Sequence, residues 1–146
     1  MPITFHVPGK PAKKGSLKPM IVPGQKRVFM LNMDAKAKGW TERARLLIVA
    51  AIPSQWYLES AYELGAFKVD VTFQFLRPKG HYNKKGLRPD APTYLITRIF
   101  DIDKGQRLLG DVMSGLVYRD DSQIVTWHAT KRYADTEGTY VTVTAL

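Results

Sequence analysis

The strongest periodic signal in the chain is an alternation over residues 66–76, where Phe67, Val69, Val71, Phe73 and Phe75 are separated by Lys68, Asp70, Thr72 and Gln74. A period of two places the five apolar side chains on one face, which predicts a half-buried strand. Arg77-Pro78-Lys79-Gly80-His81-Tyr82 follows, and its proline and glycine end the pairing. Upstream, residues 3–8 read as a short first strand. Residues 9–27, with Pro11, Pro19, Pro23 and several lysines, read as a loop of a length that compact domains seldom carry without a function. Trp40, Ala44, Leu47 and Ala51 recur at helical spacing ahead of Pro53, predicting a helix over residues 36–51.

In the second half, a polar loop runs to about Leu95 and a short extended piece covers Ile96 to Asp101. A second helix then carries the stripe Leu108, Leu109, Val112, Met113 and Leu116, with Gly115 placed to close its C-terminus. Gln123 to Lys131 and Thr139 to Thr144 read as strands, joined as a hairpin across Asp135-Thr136-Glu137-Gly138. No repeat or linker divides the chain. The order β-α-β-α-β-β predicts one α+β domain over residues 1–146, with a mixed or antiparallel sheet of four to five strands and two helices on one face.

Composition narrows the function classes. The longest apolar run, Leu46 to Ile52, is too short to cross a bilayer. The N-terminus has no charged-then-apolar leader, and there is no cysteine for a disulfide or a thiolate metal site, so a cytoplasmic location is expected. Charge says more. Twenty-two Lys and Arg stand against 13 Asp and Glu, a net +9, and the excess is clustered. Eight basic residues and one acid, Asp34, lie between Lys10 and Lys38; Arg77, Lys79, Lys84, Lys85 and Arg88 follow one another without an acid. Such patches suit a polyanion, because neutralised phosphates release condensed counterions. A solvated basic surface is the simpler alternative.

In so basic a chain, Asp101-Ile102-Asp103 and Asp120-Asp121 stand out near the two ends of the second helix. On an extended backbone Asp101 and Asp103 share a face, where two carboxylates are hard to ionise together without a cation. Mg²⁺ is a hard ion suited to oxygen ligands, and Asp121 would complete a site if the chain folds back. Asp120 and Asp121 point opposite ways if extended, so they are not both direct ligands. Bland roles compete: Asp103 as a helix N-cap with Gln106 completing a capping box, and Asp120-Asp121 as an ordinary turn. His6, His81 and His128 lack a metal-ligand spacing, and no nucleophilic motif or phosphate-cradling glycine loop is present, so no organic cofactor is expected. Trp40, Trp56 and Trp127 are core candidates before they are base-stacking ones.

The stretch Asp101-Ile-Asp103-Lys104-Gly-Gln-Arg107-Leu-Leu-Gly-Asp111-Val-Met-Ser-Gly115-Leu-Val-Tyr118-Arg-Asp120-Asp121-Ser-Gln123-Ile resembles the RusA family of Holliday-junction resolvases. Arg77-Pro78-Lys79 after the long strand, Lys131 after the paired acids and the Pro- and Lys-rich N-terminal segment fit the same pattern. The resemblance implies a homodimer that binds branched DNA and nicks two strands of a four-way junction symmetrically with Mg²⁺, or Mn²⁺ as a substitute, in recombination and repair. It assigns the metal-binding aspartates to Asp101, Asp103 and Asp121, with Asp120 and Asp111 at lower-ranked acidic positions. It also places DNA contacts in the two long loops, at Lys13, Lys14, Arg77, Lys79, Lys84, Lys85 and Arg88, and at Lys131. Lys104 stands where many members have Asn, and Arg107 where they have a catalytic Lys; Arg keeps the charge but does not readily donate a proton. Gly105 is a poor helix residue whose presence suggests a close approach to DNA or a strained first turn. Competing readings are an inactive junction binder, a nucleic-acid-binding module whose acids serve caps and turns, and a nuclease of flaps or forks.

Overall fold

The structure is a computed structural model describing residues 2–15, 17–21, 23–24, 26, 28–32, 36–59 and 61–146. Its strands are β1 (Ile3–Pro8), β2 (Leu17–Ile21), β3 (Val28–Asn32), β4 (Phe67–Leu76), β5 (Tyr82–Asn83), β6 (Gly86–Leu87), β7 (Ile124–Ala134) and β8 (Gly138–Ala145). Its helices are α1 (Lys36–Ala51), the one-turn α2 (Ala61–Leu64) and α3 (Ile102–Met113). The fold is α+β, as the element order predicts.

The alternating segment is the spine of the molecule. The main sheet has the order β1-β8-β4-β7, with β4 antiparallel to β8 and parallel to β7. Phe67, Val69, Val71, Phe73 and Phe75 are all buried beneath the helices, while Lys68, Asp70, Thr72 and Gln74 stay partly open on the other face. Each such side chain contributes about 1.5–3 kcal/mol by leaving water, which favours the central position for this strand. Helix α1 covers β1 and α3 covers β7, and the two helices touch. Ala37, Trp40, Ala44 and Ile48 of α1 and Leu108, Leu109, Val112 and Met113 of α3 close the core.

The expected hairpin of the last two strands does not form. Strand β4 lies between β7 and β8, and residues 135–137 carry the chain across its end. Four Cα steps of about 3.8 Å are enough for two strand spacings of about 4.8 Å. The most apolar strand takes the centre, and the short connection follows it. The segment 9–27 is also not all loop: β2 pairs with β3 as an antiparallel ribbon. Pro19 is accommodated in β2 because a two-stranded ribbon leaves one edge without a hydrogen-bonding neighbour. Residues 16, 22, 25 and 27 of that predicted loop lie outside the described residues.

The second polar loop contains a single helical turn at Lys79–His81 and the small β5–β6 hairpin. There the Asn83 side-chain oxygen accepts from the Lys85 amide at 2.9 Å, and Gly86 adopts φ 112°, which glycine tolerates best. Residues 96–100 form a turn rather than an extended strand. Leu95 and Phe100 are buried while Ile96 and Ile99 are exposed, a spacing that no strand produces. The edge of β7 is met earlier instead, where the Tyr133 amide donates to the Thr93 carbonyl at 3.0 Å.

Candidate active site

Asp101 is positioned by the aromatic residue before it. Phe100 is buried, with its ring centroid 4.8 Å from that of Phe73 and 5.1 Å from that of Phe75. Its carbonyl accepts from the Lys131 ammonium at 2.7 Å, tying the entrance of α3 to β7. Gly105 faces these rings: a Cβ there would collide with Phe100 and stand 2.9 Å from Phe73 Cζ. The glycine is therefore required by packing inside the protein, not by an approach to DNA.

Asp101, not Asp103, holds the N-cap position, and its carbonyl accepts from the Lys104 and Gly105 amides at 3.1 Å each. Its carboxylate makes no capping bond and lies 3.1 Å from the Lys104 ammonium. That hydrogen bond, reinforced by the charge of Lys104 and then of Lys13 and Lys131, holds the Asp101 carboxyl below the usual carboxylate range. One turn on, Asp103 pairs with Arg107 at 3.6 Å. Asp111, four residues after Arg107 on the same helix, pairs instead with Lys14 at 2.7 Å.

The second acidic pair is split by its local turn. Asp120 caps the helical turn Asp121–Gln123: its carboxylate accepts from the Ser122 amide at 2.9 Å, and the Gln123 side-chain oxygen accepts from the Asp120 amide at 3.0 Å; the Ser122 side chain first, and then its amide, lower the Asp120 pKa. The Gln123 amide group also donates to the carbonyls of Tyr62 and Gly65, at 3.1 and 3.0 Å. The bland capping role thus belongs to Asp120. Asp121 lies against α3 at Gly110, where a Cβ would stand 3.8 Å from both its carboxylate and Trp127. Beneath it, the buried Tyr118 hydroxyl donates to the Gly110 carbonyl at 3.0 Å; burial, with Asp121 and Asp111 adding, raises its pKa and keeps it neutral.

The result is a cleft of about 250 Å³ that brings Asp103, Gln106 and Arg107 on α3 to face Asp121, Ile124 and Trp127. Asp103 and Asp121, 18 positions apart in the sequence, line one cavity. Asp101 and Lys104 stand at the head of the same helix, outside that lining. Among the described residues, no three acidic, histidine or cysteine side chains gather as a metal-binding group. The donor chemistry still suits a hard divalent cation, with carboxylate oxygens on both walls and a third carboxylate one residue before the helix.

The predicted basic residues fall into two groups. Lys13 donates to the Ile99 carbonyl at 3.0 Å, Lys14 and Lys131 are engaged as above, and Arg77 donates to the Pro92 carbonyl at 2.7 Å and lies over the Tyr133 ring. Lys13 and Lys131 hold the segment just before Asp101, while Lys14 ties the N-terminal loop to α3 and Arg77 closes the second loop. Lys79, Lys84, Lys85 and Arg88 are exposed at the second loop, with Arg88 paired to Asp90 at 3.2 Å. A second groove, of about 720 Å³, was not foreseen: Lys10, Lys13, Lys36 and Arg43 surround it, and Phe100 forms part of its wall. Its cations come from two segments whose proximity only the fold creates.

Residues 8–144 match the protein family described as endodeoxyribonuclease RusA. No curated protein matches the chain. Among the described residues no helix is long and apolar enough to cross a membrane.

Proposed function

Because the chain belongs to the RusA family of endodeoxyribonucleases, we propose that it is a Mg²⁺-dependent enzyme that binds four-way DNA junctions as a homodimer and resolves them by paired, symmetric nicks. The observation that carries this reading is the cleft in which Asp103 and Asp121 meet beside Arg107. Two acids converging on a cavity in a chain of net charge +9 are costly toward DNA unless a cation joins them. Asp103 and Asp121 would hold Mg²⁺, with Asp101 as the third carboxylate; the bound ion would polarise the scissile phosphate and acidify a water.

The chain's own residues supply the rest. Arg107 is a permanent cation at the cleft and offsets charge gathering on phosphorus, but it does not exchange protons near neutral pH. Lys104 is the titratable amine at the helix head. The groove bordered by Lys10 and Arg43 and the exposed Lys84 and Lys85 suit the phosphates of the junction arms. A four-way junction has approximate two-fold symmetry, so two copies related by a C₂ axis match paired cuts. Recombination and repair are the processes that generate such a substrate.

One observation favours a second reading, a junction binder that does not cut: Asp101 is already engaged by Lys104. A nicking assay on a synthetic four-way junction and matched linear duplex, with and without Mg²⁺, separates the two. The proposal expects symmetric, ligatable nicks confined to the junction, dependent on Mg²⁺ and lost in Asp103→Asn. Selective binding without cleavage under any divalent metal establishes the binder instead. Preferential cutting of flaps or forks assigns the same chemistry to another branched substrate.

A further inference from the structure

Trp40 and Trp56 are 2% and 4% exposed and belong to the core. Trp127 differs: it packs on the core yet remains partly open, and its ring forms a wall of the carboxylate cleft. The opening exists because Gly110 passes opposite it. An atom added at Gly110 would stand 3.8 Å from Trp127 Cζ2 and 3.8 Å from Asp121 Oδ2, so a larger side chain there would fill the space between indole and carboxylate. Arg107 and Gln106 border the same cavity from α3, and Ile124 extends its apolar side.

Cation, carboxylates and a flat apolar wall in one small cavity match the parts of a nucleotide. The Arg107 guanidinium, with the cation that the carboxylates would hold, suits its phosphate, and the indole suits the face of its base. We propose that Trp127 stacks on a nucleobase flanking the scissile phosphate and thereby sets nucleotide preference at the cut; the inference rests on the nuclease reading above. Stacking alone tolerates every base, because each has a π-face. Preference arises because the size and tilt of the indole fix where the stacked base presents its edge to Gln106, whose amide both donates and accepts. Trp127 is a positioning residue in this scheme, and the acids remain the reacting site.

The burial of the other two tryptophans gives a direct test. Acrylamide quenching of intrinsic fluorescence reports chiefly Trp127, and junction DNA added with Ca²⁺ in place of Mg²⁺, an ion that also takes carboxylate oxygens, should lower the quenching constant at least about twofold. In Mg²⁺, Trp127→Phe should still cut junctions of varied core sequence but in an altered order of preference. Trp127→Ala should lose about 5- to about 150-fold in rate at the preferred sequence, the range expected for one base-stacking contact. Unchanged quenching on adding DNA overturns the proposal, as does an unaltered order of preference in Trp127→Phe. The conservative variant keeps the core filled, so an unfolded Trp127→Ala does not decide the matter. Failure of the wild type to cut any branched DNA overturns the nuclease reading, whereas protection of Trp127 still tests the base contact.

Discussion

Gly105 and Gly110 lie five residues apart on α3 and have opposite purposes. Gly110 keeps a cavity open, whereas Gly105 lets two aromatic rings close. Alanine is the better helix former by about 1 kcal/mol, yet at position 105 its methyl meets the buried rings of Phe100 and Phe73. Overpacking wins, and Gly105→Ala should lower unfolding free energy by about 1–3 kcal/mol in urea titrations; an unchanged midpoint would show that the rings can move. Asp101 offers a test by pH. Its folded pKa lies below the ordinary 3.8, so its pairing contributes above that value and is lost as pH falls through the depressed one. Carboxyl NMR of the metal-free protein should find its midpoint below 3.8, and Lys104→Met should raise it. The acids themselves were legible in the sequence as unusual charges in a basic chain. The engagements of Lys131 and Gln123 were not, because their partners are backbone carbonyls from distant segments, which leave no mark on composition or spacing.

Among the elements, Gln123 clamps three backbone groups and thereby fixes the turn that presents Asp121. Gln123→Ala forfeits those hydrogen bonds and should cost about 1–3 kcal/mol of stability, with slower nicking even at saturating DNA. Normal turnover at saturation would mean that Asp121 is held by other contacts. Helix α3 and β4 followed from periodicity because each has one strongly apolar face, whereas α1 is mixed: its buried face runs through Ala37, Trp40, Ala44 and Ile48, with the predicted Leu47 and Ala51 only at its margin. The hairpin expectation failed because strand pairing is settled by competition, and no pattern within β7 or β8 reveals that β4 will come between them. Residues 54–65 were unreadable for a related reason: a helical turn and a four-residue helix are too short for a period. Their Trp56 and Tyr57 side chains nevertheless donate to the Val117 and Leu116 carbonyls, at 2.7 and 2.8 Å, bracing the chain ahead of Asp121.

For the molecule as a whole, the charge imbalance was legible but its arrangement was not. Several lysines that pointed to a polyanion hold the protein's own loops, while the groove flanked by Lys10 and Arg43 emerges only when the N-terminal segment meets α1. Replacing Lys84, Lys85 and Arg88 together by alanine should reduce the slope of log affinity against log salt by about two to three, at about 0.9 per phosphate contact. Arg88, already paired with Asp90, should contribute least, and an unchanged slope would remove the β5–β6 hairpin from the DNA surface. The sheet order has a consequence for synthesis. Among the described residues, strand β1 joins the sheet solely through β8, by a register running from Ile3 opposite Val143 to Pro8 opposite Gly138. On the ribosome, β1 waits unpaired for a strand that emerges more than a hundred residues later, about 7–28 s at ordinary elongation rates. A nascent chain that has not yet released β8 leaves β1 without its partner and one edge of the buried β4 unpaired, so the sheet closes only once β8 is free to enter it.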